Sequence, residues 1–356
     1  MKEIILQILN DSITAPSPDN FQPWRFEVRN NELAVFKVPG KVNQLLDCKE
    51  HVLLLTNGML IENIVIAATH HGYRSELTLM PDPSKPDLVA KILLHRDSGI
   101  NEDPLYPFLT LRSTNRKLYK KEKLSPEISA ALLTIQHPYP GVELQLIEHQ
   151  DDIKSLGKAV SAIDKIMFEN KKLHDSLFAH MTTSKKEMLT KQGLVLDAME
   201  FNPAEKLLFS WLTNWRVVKL FNFFGFSSFV RFKNSKQYGS AAAAFLVGVK
   251  NNSETDYLIA GRAVERCWLK ATEGGLSFHP IVGVLYCYQK VKENLNDVFS
   301  EDQATLLEES YKKIESIATA NGMTGNHLVF FSRVGHATPP SHKSLRKNAD
   351  VDFLNS

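Results

Sequence analysis

Residues 49–71, KEHVLLLTNGMLIENIVIAATHH, carry a long apolar period that reads as a helix buried in the interior. A helix apolar on most of its circumference must be enclosed by other elements, and the flanking sequence supplies candidates. Residues 2–13 repeat at helical spacing, with Ile4, Ile5, Ile8 and Leu9 on one face. Pro16 and Pro18 forbid continuation of that helix. Segments 24–28 and 33–38 flank Asn30-Asn31 and read as a hairpin. Segments 74–80 and 88–95 read as two more strands, followed by a loop rich in Pro, Gly and Asp over 96–107.

A second series begins near residue 108. Ser125 and Pro126 have the character of an N-cap and a first helical position, so a helix runs to about 135. A strand over 142–148, a helical stretch over 150–182 and an apolar region over 193–232 come next. The last elements are a strand at 241–249, a helix at 257–272 ended by Gly274-Gly275, an extended segment at 282–288, a helix at 301–320 and a strand at 327–333. This order predicts an α+β fold whose arrangement repeats loosely, and no short repeat suggests a solenoid.

The 356 residues are ample for a large core without staples. Forty-two Lys and Arg against 40 Asp and Glu leave a net charge of only +2, which gives no electrostatic ground for a nucleic-acid partner. Cys48, Cys267 and Cys287 form no CxxC pair, and the histidines lack ligand partners at useful spacing, so no metal site is expected. Glu3 and Asp11 interrupt the N-terminal apolar pattern, so no signal peptide is read there and a cytoplasmic location is expected.

The most apolar window is 207–232, LLFSWLTNWRVVKLFNFFGFSSFVRF. Asn214, Arg216, Lys219 and Asn222 interrupt it, so no transmembrane segment is expected. Two readings remain: a helical flap over an apolar cleft, which is preferred, or a basic amphipathic helix on a membrane surface.

Several segments carry chemistry. Around Ala15-Pro16-Ser17-Pro18-Asp19-Asn20-Phe21-Gln22-Pro23-Trp24, a stiff turn presents uncharged donors and acceptors just before a strand. In Arg112-Ser113-Thr114-Asn115-Arg116, two guanidiniums four apart with hydroxyls between them could grip a phosphate and a polyol. The helix around Gly261 has Gly and Ala on one face, permitting close helix approach. His279-Pro280-Ile281-Val282-Gly283 forms a turn, with His279 a candidate proton donor, and Lys343, Arg346 and Lys347 lie in a basic tail. Neither a G-x-G-x-x-G nor a G-x-x-x-x-G-K-[ST] motif is present, so a nicotinamide donor has no Rossmann domain.

The first of these segments resembles the P-S-x-x-N-x-Q-P-W signature of the FMN-dependent nitroreductase superfamily, through Pro16, Ser17, Asn20, Gln22, Pro23 and Trp24. Arg112–Arg116 resembles that family's R-x-S-x-R motif, with Thr114 in place of Ser. The helix 260–276, the turn before Gly283 and the closing strand with its basic tail follow in family order. The whole looks most like the Acg-like branch of single-chain pseudodimers. The resemblance implies a nitroreductase fold built from two unequal halves, 1–107 and 108–356, the second holding a helical lid at about 183–235. It implies one FMN per chain, bound by Ser17, Asn20, Gln22, Arg112, Thr114, Arg116, Pro280, Ile281, Gly283 and Arg346. The backbone of Gly283 would lie near flavin N5, and Arg116 near N1 and C2=O. Val282 stands where classical members often carry an acid. The implied activity is hydride transfer from NAD(P)H to a flat electrophile such as a nitroaromatic, quinone or conjugated carbonyl. The alternative is an FMN-sequestering protein with a closed lid and little turnover. The implied partner is a small molecule, and an intrachain pseudodimer permits a monomer while leaving higher homo-oligomers open.

Overall fold

A computed structural model describes residues 1–295, 298–323 and 327–355. The first series is α1 (Lys2–Ser12), the hairpin β1 (Trp24–Arg29) and β2 (Glu32–Lys37), α2 (His51–His70), β3 (Tyr73–Leu79) and β4 (Leu88–Arg96). The second opens with α3 (Pro126–Thr134) and β5 (Val142–Ile147). A largely helical stretch follows: α4 (Gln150–Val160), α5 (Ala162–Glu169), α6 (Lys171–His180), β6 (Met181–Thr182), α7 (Ser184–Thr190), β7 (Leu194–Val195), α8 (Pro203–Trp211), α9 (Trp215–Phe223) and α10 (Phe226–Tyr238). The chain closes with β8 (Ala243–Val249), α11 (Glu254–Glu273), β9 (Ser277–Pro280), α12 (Gly283–Lys292), α13 (Glu301–Ala320), β10 (His327–Gly335) and β11 (Val351–Phe353). The fold is α+β, as the element order predicts.

The two series share a topology. Strands β1-β2-β4-β3 lie side by side in one sheet and β5-β8-β10-β9 in the other, and every neighbouring pair in both runs is antiparallel. In each series a 20-residue helix, α2 or α11, follows the second strand. These helices pack together through Gly58 and Gly261. A Cβ on Gly58 would stand 2.2 Å from the carbonyl oxygen of Leu258, and one on Gly261 would stand 2.1 Å from that of Leu55. Only backbone without side chains fits this crossing. Beside it, Glu62 of α2 accepts from Arg262 Nε at 2.9 Å and Arg266 Nε at 2.7 Å. The symmetry breaks at the end of the chain, where β11 crosses to the first sheet and pairs parallel to β1.

Helix α2 is the buried helix expected from 49–71. It is long and apolar enough to cross a bilayer, yet 89% of its apolar window is buried inside the protein. Asn30 takes the positive φ of 56° that the tight β1–β2 turn needs. Ser125 caps α3 by accepting from the N–H of Ile128, as expected.

Two expectations are corrected. Residues 282–288 are not extended: they enter α12, and the strand there is β9, just upstream. The valines and tyrosines of Val282–Tyr288 resemble a strand by composition. They lie in a helix in which four successive residues, Val284–Cys287, are buried, and such a run cannot be told from a buried strand by its periodicity. The helical stretch 150–182 is also three helices and a short strand, not one run. Asn170 adopts extended φ/ψ and caps α6 through the N–H of Leu173, so the chain turns there.

Candidate functional site

The loop after α1, the Arg112–Arg116 segment, residues 193–198 and the C-terminal tail converge on one polar cleft. Its walls include Ser17, Asn20, Arg112, Thr114, Arg116 and Arg346. Pro16 and Pro18 end the first helix and start a short turn in which Asp19, Asn20 and Gln22 all take positive φ, at 48°, 57° and 53°. Outside glycine this conformation is costly, and Asp and Asn bear it best.

Arg112 is 3% exposed. Its Nη2 donates to the Thr14 carbonyl at 2.5 Å, and its guanidinium lies 4.5 Å from the centre of the Trp268 ring. Its Nε stands 3.2 Å from Glu265 Oε1, an ion pair without the alignment of a hydrogen bond. Burial pushes the Glu265 carboxyl up to about 7 against the pull of Arg112. Arg346 Nη1 donates to Asn20 Oδ1 at 2.8 Å, while its Nε is buried with no hydrogen-bond partner. Burial first, and then the Arg112 charge, pull Arg346 down to about 9. Lys343 is lowered by burial and by both arginines. Three cations thus crowd one cleft, and each of them is disfavoured in its charged form. An incoming anion relieves both the desolvation and the mutual repulsion. A phosphate monoester fits this donor set.

Asn20 and Gln22 join distant segments of the chain. Asn20 Nδ2 donates to the Leu345 carbonyl at 2.9 Å. Gln22 Nε2 donates to the Lys191 carbonyl at 2.7 Å, and Gln22 Oε1 accepts from the N–H of Lys347 at 2.8 Å. They tie the first loop to α7 and the tail, and Ser17 Oγ accepts from the N–H of Gln22 at 3.0 Å. Gln22 does not line the cleft.

Arg116 borders both this cleft and a second, apolar cavity of about 430 Å³ beneath α8 and α10. Phe168, Phe201, Phe209 and Phe226 are among its walls, and Asp164, Tyr238 and His279 form a polar end. Arg333, 0% exposed, donates from Nε to His279 Nδ1 at 3.1 Å. An arginine nitrogen only donates, so Nδ1 accepts and the proton of the neutral ring sits on Nε2. Burial, with the charges of Arg333 and Arg116, lowers His279 well below the usual histidine range. Burial raises Asp164 to about 6. The sequence flagged His279 but missed Arg333, Tyr238 and Asp164. The one available signal was an arginine inside the apolar run of β10.

Pro280, Ile281 and Gly283 line neither cavity. Pro280 pairs with Ser332 at the end of β9, and the N–H of Ile281 donates to Phe331 O at 2.8 Å. A Cβ on Gly283 would meet Ile163 of α5 at 3.1 Å. Among the described residues no group of three His, Cys, Asp or Glu is placed to hold a metal.

No protein-family model matches the chain. Uncharacterized protein MT1398 of Mycobacterium tuberculosis (strain CDC 1551 / Oshkosh) is 24% identical over 351 residues, covering 97% of this chain and 47% of its own length. Rv3131 of M. tuberculosis (strain ATCC 25618 / H37Rv), named as a candidate NAD(P)H nitroreductase, is 26% identical over 155 residues, which are 43% of this chain and 45% of the relative. The chain therefore spans about half the length of the curated relatives it matches. Among solved structures, iodotyrosine deiodinase bound to FMN and 3-iodo-L-tyrosine aligns with a TM-score of 0.41 and 16% identity, over 71% of this chain and 100% of that one.

Proposed function

We propose that the chain is an FMN-dependent oxidoreductase of nitroreductase type, with one FMN per chain. The observation that carries the reading is the cluster of Arg112, Lys343 and Arg346 along one cleft, with Arg346 Nε buried and without a hydrogen-bond partner. Arg112, Thr114 and Arg346 would hold the phosphate and ribityl end. Arg116, where cleft and apolar cavity meet, would stand beside the ring and favour negative charge on it. Bound FMN would supply two-electron chemistry, passing a hydride equivalent from NAD(P)H to an electrophile. The largely apolar walls of the cavity suit a flat acceptor such as a nitroaromatic, quinone or conjugated carbonyl. The shared strand order supports a chain of two fused halves, and β11 supports a tail that ties the second half to the first. Pro280, Ile281 and Gly283 have no part in this assignment.

A second reading is FMN sequestration with little turnover. The ties from Asn20 and Gln22 to Lys191 and the tail favour it, because they fasten the first loop, which supplies Ser17 and Asn20 to the cleft, to the segment after α7 and to the tail. Rapid mixing of flavin-loaded protein with NAD(P)H or dithionite separates the two. Bleaching by NAD(P)H supports turnover, and bleaching by dithionite alone supports sequestration.

A further inference from the structure

We propose that the outer face of α8–α10, with the basic groove beside it, docks on an anionic lipid bilayer. Helices α8 and α10 wall the apolar cavity through Leu208, Phe209, Phe226 and Val230. Large apolar side chains of all three helices stay exposed on the outside, and among the described residues nothing covers them. Trp211, Leu220 and Phe232 are each more than half exposed, and Phe223 and Phe224 are 84% and 78% exposed. These last two project at the α9–α10 turn, where Gly225 takes φ 84°. A soluble surface rarely exposes so many large apolar side chains along one short helical segment unless that segment binds something.

Charge selects the occupant. Residues 203–238 carry Lys206, Arg216, Lys219, Arg231, Lys233 and Lys236 against the single acid Glu205, in a chain whose net charge is only +2. Beside the face lies a groove between α4 and α10 lined by Lys121, Lys154, Lys158, Lys165, Arg231 and Lys236. Lys154 and Lys165 are paired with Asp151 and Glu169, and among the described residues the other four make no ion pair. Arg231 Nε is buried without a hydrogen-bond partner. Phe232 and Lys236 belong to both face and groove, with Lys236 Nζ 4.1 Å from the Phe232 ring centre. Apolar wedge and cation groove are therefore continuous. A second copy of this face would bring like charges together across a twofold axis. A bilayer with anionic headgroups offers phosphate to the groove and acyl chains to the aromatic rings.

The test is co-flotation of the 356-residue chain with vesicles of phosphatidylcholine alone or with about one third phosphatidylglycerol. Expected are binding to the anionic vesicles only, its weakening by salt, and a blue shift of tryptophan fluorescence as Trp211 leaves water. Phe223→Ser/Phe224→Ser should abolish flotation, and Arg231→Gln and Lys236→Gln should each weaken it about fivefold. Circular dichroism melts matching the parent verify that these surface variants fold. No binding to anionic vesicles, equal binding of the serine double variant, or equal binding to neutral vesicles overturns the proposal. So does a dimer that the serine pair converts to monomer in the absence of any vesicle binding.

Discussion

Arg346 donates to Asn20 while its Nε faces no partner, and Arg112 lies close enough to lower it further. On the proposed FMN site, replacing Arg346 with Ala would remove a charge-assisted hydrogen bond to the phosphate, about 1.5–3 kcal/mol. FMN affinity should fall roughly ten- to hundredfold, read as flavin retained after dialysis. Arg346→Lys should recover part of it as a point charge. Glu265 sets a pH dependence. Its carboxyl is raised by burial from 4.5 to about 7, so the folded state binds its proton more tightly than the unfolded chain does. Its contribution is present below pH 4.5 and is lost as pH rises through about 7. Melting temperatures of the flavin-free protein should fall across that window, and Glu265→Gln should flatten the fall. An unchanged slope in the variant would remove Glu265 as its source. Arg112, Thr114 and Arg346 could be singled out in the sequence through the family resemblance, and the structure brings all three to one cleft. Asn20 and Gln22 were legible as a motif but not as ties, since their partners Lys191, Leu345 and Lys347 are far away in sequence. His279 and Arg333 meet only because β9 and β10 are neighbours, which no local pattern reveals.

Among the elements, the α2–α11 crossing is the tightest point. Gly58→Ala or Gly261→Ala forces a methyl onto a carbonyl oxygen at about 2 Å, so the helices must separate. Overpacking of this kind costs about 1–3 kcal/mol, and here it falls on backbone that has no rotamer to change. Urea titration should show a lower midpoint for either variant, with the cost of the double variant below the sum of the two because one separation relieves both. Strict additivity would mean the two glycines do not share a contact. The sequence marked both helices well, since long apolar periods are the most reliable local signal. It misread α12 because a run of buried residues cannot be told from a buried strand by its periodicity. It missed β11, whose three residues form a strand only because the edge of β1 is there to receive them.

On the scale of the whole molecule, two four-stranded runs of the same order are packed through a paired glycine crossing, and the second carries a long helical insertion. The expected lid at 183–235 is the later part of a helical segment that starts at Gln150, and its inner face walls the apolar cavity. The loose repetition was readable from element order. The crossing of the tail strand β11 to the first sheet was not, because it depends on where the tail lands. One cleft gathers the first loop, Arg112–Arg116 and Arg346, and we propose that this gives a single flavin for each chain. The most direct measurement is the absorbance spectrum of the purified protein after incubation with FMN and gel filtration, before and after NAD(P)H. One flavin per chain, bleached by NAD(P)H and largely lost in Arg346→Ala, is the expected result. A protein that stays colourless with added FMN, or that holds as much flavin in Arg346→Ala as in the parent, would contradict it.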